Sequence, residues 1–318
     1  MSPAAPPAPN PLAPFLAGGG VVVLDGGLAT ELEKAGFDLD HPLWSARLLD
    51  AAPEAIAKVH RSYLEAGADC ITTASYQATF AGFAREGCSR AEAEGLLRRS
   101  VALALEVRDR FWVDERHRVG RLRPLVAASI GPYGAYLANG AEYTGDYDLD
   151  EAGLREFHRE RLARLAASGA DLLACETVPS ASEARALGAL LAESPGPPAW
   201  LSFSCRDGER LRDGTPLAEC VRLLDPLPRV LAIGVNCTAP AHVESLLRTA
   251  VLSTRKPLVA YPNSGESYDA ARKAWSGIAE TERWGELGRL WRDAGARLVG
   301  GCCRTGPDEV RSLRAALS

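Results

Sequence analysis

The chain has no apolar run near the roughly 20 residues needed to cross a bilayer, and no excess of basic charge. Lys and Arg number 36 against 41 Asp and Glu, giving a net charge of −5 and a pI near 5.7. That balance excludes a membrane span and a basic face for nucleic acid or anionic lipid. The opening stretch MSPAAPPAPNPLAPF lacks Lys, Arg and any long apolar segment, so it does not read as an export signal. Residues 1–15 are expected to form a loose Pro/Ala-rich arm, and the protein is expected in the cytoplasm. In that reducing setting the eight cysteines point to metal binding or catalysis rather than disulfides. A second domain, a short repeat and a C-x-x-C pair are also missing. So is a G-x-G-x-x-G phosphate fingerprint, since DGGLATELE stands after the first strand-like run.

What is present is a soluble globular composition, 47% hydrophobic and 24% charged over 318 residues. Eight apolar, β-rich runs recur along it: 21–27, 70–75, 124–130, 171–177, 199–205, 230–237, 257–263 and 297–303. They are continuous rather than alternating, as in strands buried on both faces. Helix signals lie between them. Ser89 with Glu92, and Ser180 with Glu183, match the capping-box spacing. Pro216 and Pro307 stand where a first helical residue would be, and GRLWRDAGA ends in glycine just before the eighth run. Eight strands alternating with helices predict an α/β fold, a (β/α)8 TIM barrel spanning residues 16–318 as one domain. The alternative is an open doubly wound sheet, whose phosphate fingerprint is the one missing. A barrel of this size can be complete as a monomer, and a small homo-oligomer is equally compatible.

In such a barrel the C-terminal strand ends converge on one mouth. Asp25, Glu176, Cys237, Cys302 and Cys303 all stand at such ends. Three thiols from two strand ends can form three legs of a tetrahedron, which suits Zn2+ and leaves the fourth position open. Neighbouring residues of a regular strand face opposite ways, so Cys302 and Cys303 can share a metal only if the backbone bends. Gly300-Gly301 is read as permitting that bend. Three other readings stay open: buried packing or an oxidisable pair, a phosphate-binding barrel, and a closed structural zinc site with Cys205 as fourth thiol. Cys70, Cys88, Cys175 and Cys220 read as packing residues, and none of the five histidines is an obvious ligand. The loop 131–150 holds Tyr133, Tyr136, Tyr143 and Tyr147, four of eight tyrosines. It reads either as a lid over the site or as a loop with its own small tyrosine core.

With these residues in place, the chain resembles the zinc-dependent homocysteine S-methyltransferases from about Val21 to Leu317. The likeness rests on LDGGLATELE, GADCITTASYQAT, SIGPYGAYLANGAEYTGDY, ETVPSASEA, GVNCTAP, YPNSGE and GGCCRTGP. The resemblance implies a methyltransferase with zinc on Cys237, Cys302 and Cys303. It implies that Asp25 and Glu176 hold the α-ammonium of L-homocysteine, while backbone N–H groups near Gly26 and Gly27 take its carboxylate. The substrate sulfur, activated by the metal, would attack the methyl group of a cationic donor without a general base. The long tyrosine loop resembles the sulfonium-using branch, with S-methylmethionine first and S-adenosylmethionine second. Selenocysteine methylation or a betaine donor are the sibling readings. Trp44, Tyr76 and the loop tyrosines, Tyr133 among them, are the aromatic candidates for holding a sulfonium.

Overall fold

The computed structural model describes residues 10–269 and 274–318. Its parallel strands β1 (Val22–Val23), β2 (Cys70–Thr72), β3 (Leu125–Ile130), β4 (Leu172–Val178), β5 (Ala199–Phe203), β6 (Val230–Asn236) and β7 (Leu258–Tyr261) correspond to the first seven expected runs. A short antiparallel hairpin follows, β8 (Ser267–Asp269) with β9 (Ala274–Ser276), before the last barrel strand β10 (Ala296–Val299). Around the barrel the order is β1-β10-β7-β6-β5-β4-β3-β2. A parallel bridge from Leu24 to Cys70 closes it, with Asp69 N–H donating to the Val23 carbonyl at 2.7 Å and Asp25 N–H to the Cys70 carbonyl at 3.1 Å.

The two-residue period of each strand sorts side chains between two cores. Val22, Leu24, Leu125, Ala127, Leu172, Ala174, Trp200 and Val259 fill the barrel interior. Val23, Val126, Ala128, Leu173, Cys175 and Leu201 face the surrounding helices. Continuing the inward alternation toward the C-terminal ends brings up Ser129, Glu176, Ser202, Asn236 and Tyr261. An apolar floor thus gives way to a buried polar layer under the mouth.

Of the expected arm, residues 1–9 lie outside the described residues, and within residues 10–15 the chain is anchored at Leu12 while Asn10, Ala13 and Pro14 are exposed. Leu12 is 1% exposed and shares the interior cluster with the first residues of β3 and β4. It therefore packs at the end of the barrel opposite the strand C-termini, where apolar interior side chains would otherwise meet water.

Most helix signals are realised. Ser89 and Glu92 form a reciprocal capping box, Pro307 opens the last helix, and Gly295 takes φ +116° after the helix Trp284–Asp293. Two differ. Pro216 is the N-cap, one place before the helix Leu217–Leu224. Ser180 caps the Glu183 N–H, but the Glu183 carboxylate turns inward, accepting from the Tyr133 N–H at 2.6 Å and pairing with His158 Nε2 at 2.7 Å. That buried pair fastens the start of the tyrosine loop.

Candidate metal centre and substrate pocket

The three thiols meet at the mouth. Cys237 and Cys303 have their sulfurs 3.6 Å apart, Cys302 and Cys303 3.9 Å apart, and all three lie within 4.8 Å of one another. A disulfide would need about 2.05 Å. A tetrahedral zinc with bonds near 2.3 Å requires sulfur–sulfur edges of about 3.8 Å. The observed spacing could hold a metal ion. Hydrogen bonds from Cys302 and Cys303 hold the Cys237 thiol well below its ordinary pKa, and the same cluster raises the other two. Cys205 lies in the outer core, where burial raises its thiol. Among the described residues the metal-ligating group comprises only the three cysteines, so the closed four-thiol reading has no fourth ligand.

The glycine account of the paired thiols needs correction. Neither Gly300 nor Gly301 adopts the left-handed backbone. β10 simply ends at Val299, and Cys302 and Cys303 sit in the turn beyond it. The glycines are required by space: a Cβ at Gly300 would lie 2.6 Å from Leu24 Cβ, and one at Gly301 2.1 Å from Thr305 Oγ1. The close approach lets the turn lace to its neighbours. Gly301 N–H donates to the Asp25 carbonyl at 3.0 Å, and Cys302 N–H to the Pro262 carbonyl at 2.8 Å. The left-handed residue is Arg304, φ +65°. Its N–H donates to Thr30 Oγ1 at 2.8 Å, and its guanidinium pairs with Glu266.

Two buried carboxylates lie in the same layer. Asp25 Oδ2 accepts from the Thr72 N–H at 2.7 Å and from the Thr72 hydroxyl at 3.1 Å. Burial pushes its pKa up to about 8, with the charge of Glu176 adding to the rise. Ser129 Oγ donates to Glu176, whose pKa burial raises to about 7. Two like charges sharing a desolvated pocket favour a cation between them.

The sequence did not single out what holds Glu176. Thr177 has φ +60°, a left-handed backbone that a β-branched residue adopts only under constraint. Asn236 supplies the constraint: its Oδ1 accepts from the Thr177 N–H at 2.7 Å and its Nδ2 donates to Thr177 Oγ1 at 2.8 Å. Cys237 itself has φ +47° and Trp44 φ +48°. Strained backbone gathered at one mouth is the mark of a functional site.

The remaining expected residues divide. Among the N–H groups near Gly26 and Gly27, that of Gly27 itself donates to the Thr305 carbonyl at 3.0 Å. Gly26 does show close approach, with a Cβ meeting the Tyr63 hydroxyl at 3.0 Å. Trp44 and Tyr76 form an edge-to-face pair with centroids 5.7 Å apart, and the charge of Cys237 bears on Tyr76. Tyr133 points elsewhere: its ring packs against Tyr136, Tyr147 and Phe157, and its hydroxyl reaches Asp148 at 3.3 Å. The loop thus has the small tyrosine core read as one alternative. Tyr143 is the tyrosine that leaves that core, placing its hydroxyl 3.7 Å from Cys237 Sγ, with the Arg212 guanidinium over its ring at 5.5 Å. Fully buried Arg161 ties two loops by donating to the carbonyls of Ser75, Tyr76 and Gly131 at 2.6–3.0 Å. No helix among the described residues is long and apolar enough to cross a membrane.

Residues 22–317 match the family model described as homocysteine S-methyltransferase. Homocysteine S-methyltransferase YbgG of Bacillus subtilis is 50% identical over 306 residues, 96% of this chain and 97% of that one. Two crystal structures of the homocysteine methyltransferase MmuM from Escherichia coli superpose over 96% of this chain and 99% of theirs. The metallated form gives a TM-score of 0.86 at 45% identity, and the oxidized form 0.87 at 44%.

Proposed function

The chain belongs to the homocysteine S-methyltransferase family, and on that premise we propose that it makes L-methionine by moving a methyl group from a sulfonium donor to L-homocysteine. S-methylmethionine is the first donor and S-adenosylmethionine the second. The observation that carries the reading is the triangle of sulfurs, 3.6 and 3.9 Å on its measured edges, beside two buried carboxylates. Cys237, Cys302 and Cys303 would hold zinc, whose preference for thiolate at this spacing they fit. When bound, zinc supplies acidity, lowering the pKa of a coordinating thiol from about 8.5 so that the substrate sulfur is nucleophilic at neutral pH.

The protein's own side chains do the rest. Asp25 and Glu176 take the α-ammonium between them, which keeps both ionised and fixes the amino-acid end. Thr72 and Ser129 hold those carboxylates in place. The Gly26 segment and the turn entering the helix Leu28–Lys34 lie where the carboxylate end would go, with Tyr63 and Thr305 bracing them. Arg161 holds the loop bearing Tyr76, and Asn236 holds the end of β4 that bears Glu176. In the transfer a new carbon–sulfur bond forms to the methyl carbon as the donor's carbon–sulfur bond breaks. The donor sulfur leaves neutral with the electron pair, and the thiol proton has already passed to solvent. A negative and a positive centre neutralise each other, so a desolvated mouth favours the step. No residue is needed as a general base.

The test is methionine formation by purified, zinc-replete protein offered S-methylmethionine, S-adenosylmethionine and betaine in parallel. Turnover with a sulfonium is expected. Turnover with betaine alone would move the donor class, and turnover with none would remove the proposed reaction.

A further inference from the structure

One buried hydroxyl grips two turns of the mouth at once. Tyr63 comes from the helix Pro53–Ala66, just before β2, and is fully buried. Its hydroxyl donates to the Gly27 carbonyl at 3.0 Å and to the Thr305 carbonyl at 3.2 Å. Burial pushes its pKa well above the ordinary value, so it keeps a single proton, shared between the two acceptors. Gly27 belongs to the turn that bears Asp25. Thr305 belongs to the turn that bears Cys302 and Cys303, and its N–H and Oγ1 both donate to the Cys302 carbonyl, at 3.2 and 2.8 Å. The two turns are also tied directly. Gly301 N–H donates to the Asp25 carbonyl at 3.0 Å, Gly27 N–H to the Thr305 carbonyl at 3.0 Å, and Arg304 N–H to Thr30 Oγ1 at 2.8 Å. They approach so closely that a Cβ at Gly27 would lie 2.7 Å from the Cys302 carbonyl oxygen.

A metal on the three thiols fixes residues 301–305, and an α-amino acid on Asp25 fixes residues 25–30. Segments cross-linked in this way lose their freedom together. Whichever ligand binds first therefore bears most of the ordering cost and leaves less for the second, and linkage makes the effect reciprocal. We propose that Tyr63 is a positioning residue that couples the metal site to the amino-acid pocket, so that each ligand tightens the other even when the amino acid has no sulfur to offer. This rests on the pocket and metal site read above. It adds that the two load in concert: the amino-acid end of the substrate is held best where a metal is present to take its sulfur.

The probe is L-2-aminobutyrate, which is homocysteine without its thiol and cannot reach the metal through sulfur. Zinc affinity is measured by competition with a chromophoric chelator, with and without saturating 2-aminobutyrate. Wild-type protein should bind zinc about fivefold or more tightly when the amino acid is present. Tyr63→Phe deletes only the hydroxyl and should lower that ratio about twofold or more. A merely structural loss would weaken both ligands and leave the ratio alone, and a charge effect across the mouth would survive without the hydroxyl. Thr30→Val, which removes the acceptor of the Arg304 N–H, carries the same test if Tyr63→Phe does not fold. Hydrogen exchange needs no variant: the peptide containing the Gly27 N–H should exchange more slowly in wild-type protein on zinc loading alone. A ratio of one in wild type, an unchanged ratio in folded Tyr63→Phe, or exchange at Gly27 indifferent to zinc would each overturn the coupling. Calorimetry separates the two readings. If 2-aminobutyrate fails to bind zinc-loaded wild type, the pocket itself is lost and the coupling with it. If it binds equally with and without zinc, the coupling alone is lost.

Discussion

Replacing Asn236 by Ala tests whether the polar layer, rather than the carboxylate alone, builds the amino-acid pocket. The Asn236 amide makes two bonds to Thr177, at 2.7 and 2.8 Å, and both residues are buried. Each buried hydrogen bond contributes about 0.5–1.5 kcal/mol net, and a stranded partner costs about 1–3 kcal/mol. The left-handed backbone of Thr177 costs about 1–2 kcal/mol, so it persists only while both bonds are made. In Asn236→Ala the Thr177 N–H loses its partner and the hydroxyl keeps only Tyr76, the backbone relaxes, and Glu176 one residue earlier swings with it. Stability should fall by about 2–4 kcal/mol, lowering Tm by roughly 3–6 °C in a chain of this size. The homocysteine KM should rise about tenfold or more, one lost charge-assisted contact being worth at least that. Zinc content should hold, because the Cys237 N–H is fixed independently by the Tyr261 carbonyl at 3.2 Å. Calorimetry, steady-state kinetics and metal analysis on one preparation check all three. An unchanged KM with lowered Tm would refute the positioning role, and an unchanged Tm would refute the strain argument.

Asp25→Asn and Glu176→Gln should each raise the homocysteine KM with little change in donor KM, and unchanged kinetics in both would remove them from the pocket. In the free enzyme burial raises these carboxylates to about 8 and about 7, so binding an ammonium requires them to lose protons. L-methionine, which has no thiol to titrate, should therefore bind more tightly as pH rises from 6 to 8 and release protons in calorimetry. The sign for folding is opposite: the unfolded chain loses these protons first, so their contribution to stability falls as pH climbs from the ordinary carboxylate range toward 8. Gly234→Ala places a Cβ 1.9 Å from the Val259 carbonyl oxygen and should cost about 3 kcal/mol or more by forcing β6 from β7, read as a thermal shift or loss of soluble protein. Chelation should abolish turnover, with recovery on zinc addition. It should also make two more thiols react quickly with a thiol reagent, since Cys302 and Cys303 are partly exposed while Cys237 is buried.

The barrel was legible because its strands are buried on both faces and so write themselves as unbroken apolar runs. The meeting of the three thiols was legible for a topological reason: parallel strands bring their C-terminal ends together, so Cys237 and the pair at 302–303 had to meet once the fold was known. What sequence could not supply was the reason for the glycines. Gly300 and Gly301 are needed for space against Leu24 and Thr305, contacts made by residues remote in sequence or revealed only by the turn. Nor could it choose among four tyrosines in one loop. Tyr133, Tyr136 and Tyr147 go to the loop's own core and Tyr143 to Cys237, a division set by packing against Phe157 and Arg212. The Asn236–Thr177 clamp joins residues 59 apart and leaves no local pattern. Leu12 was hidden by its composition, since a Pro/Ala-rich stretch looks loose until the open end of a barrel gives one leucine a place to bury.

The central claim is that three thiolates hold a metal whose remaining position receives the substrate sulfur. X-ray absorption at the zinc edge, before and after adding L-homocysteine to zinc-loaded protein, tests it most directly. A shell of three sulfurs and one lighter atom that becomes four sulfurs, at about 2.3 Å, is the predicted result. Four sulfurs in both samples, or a shell that homocysteine leaves unchanged, would contradict the account.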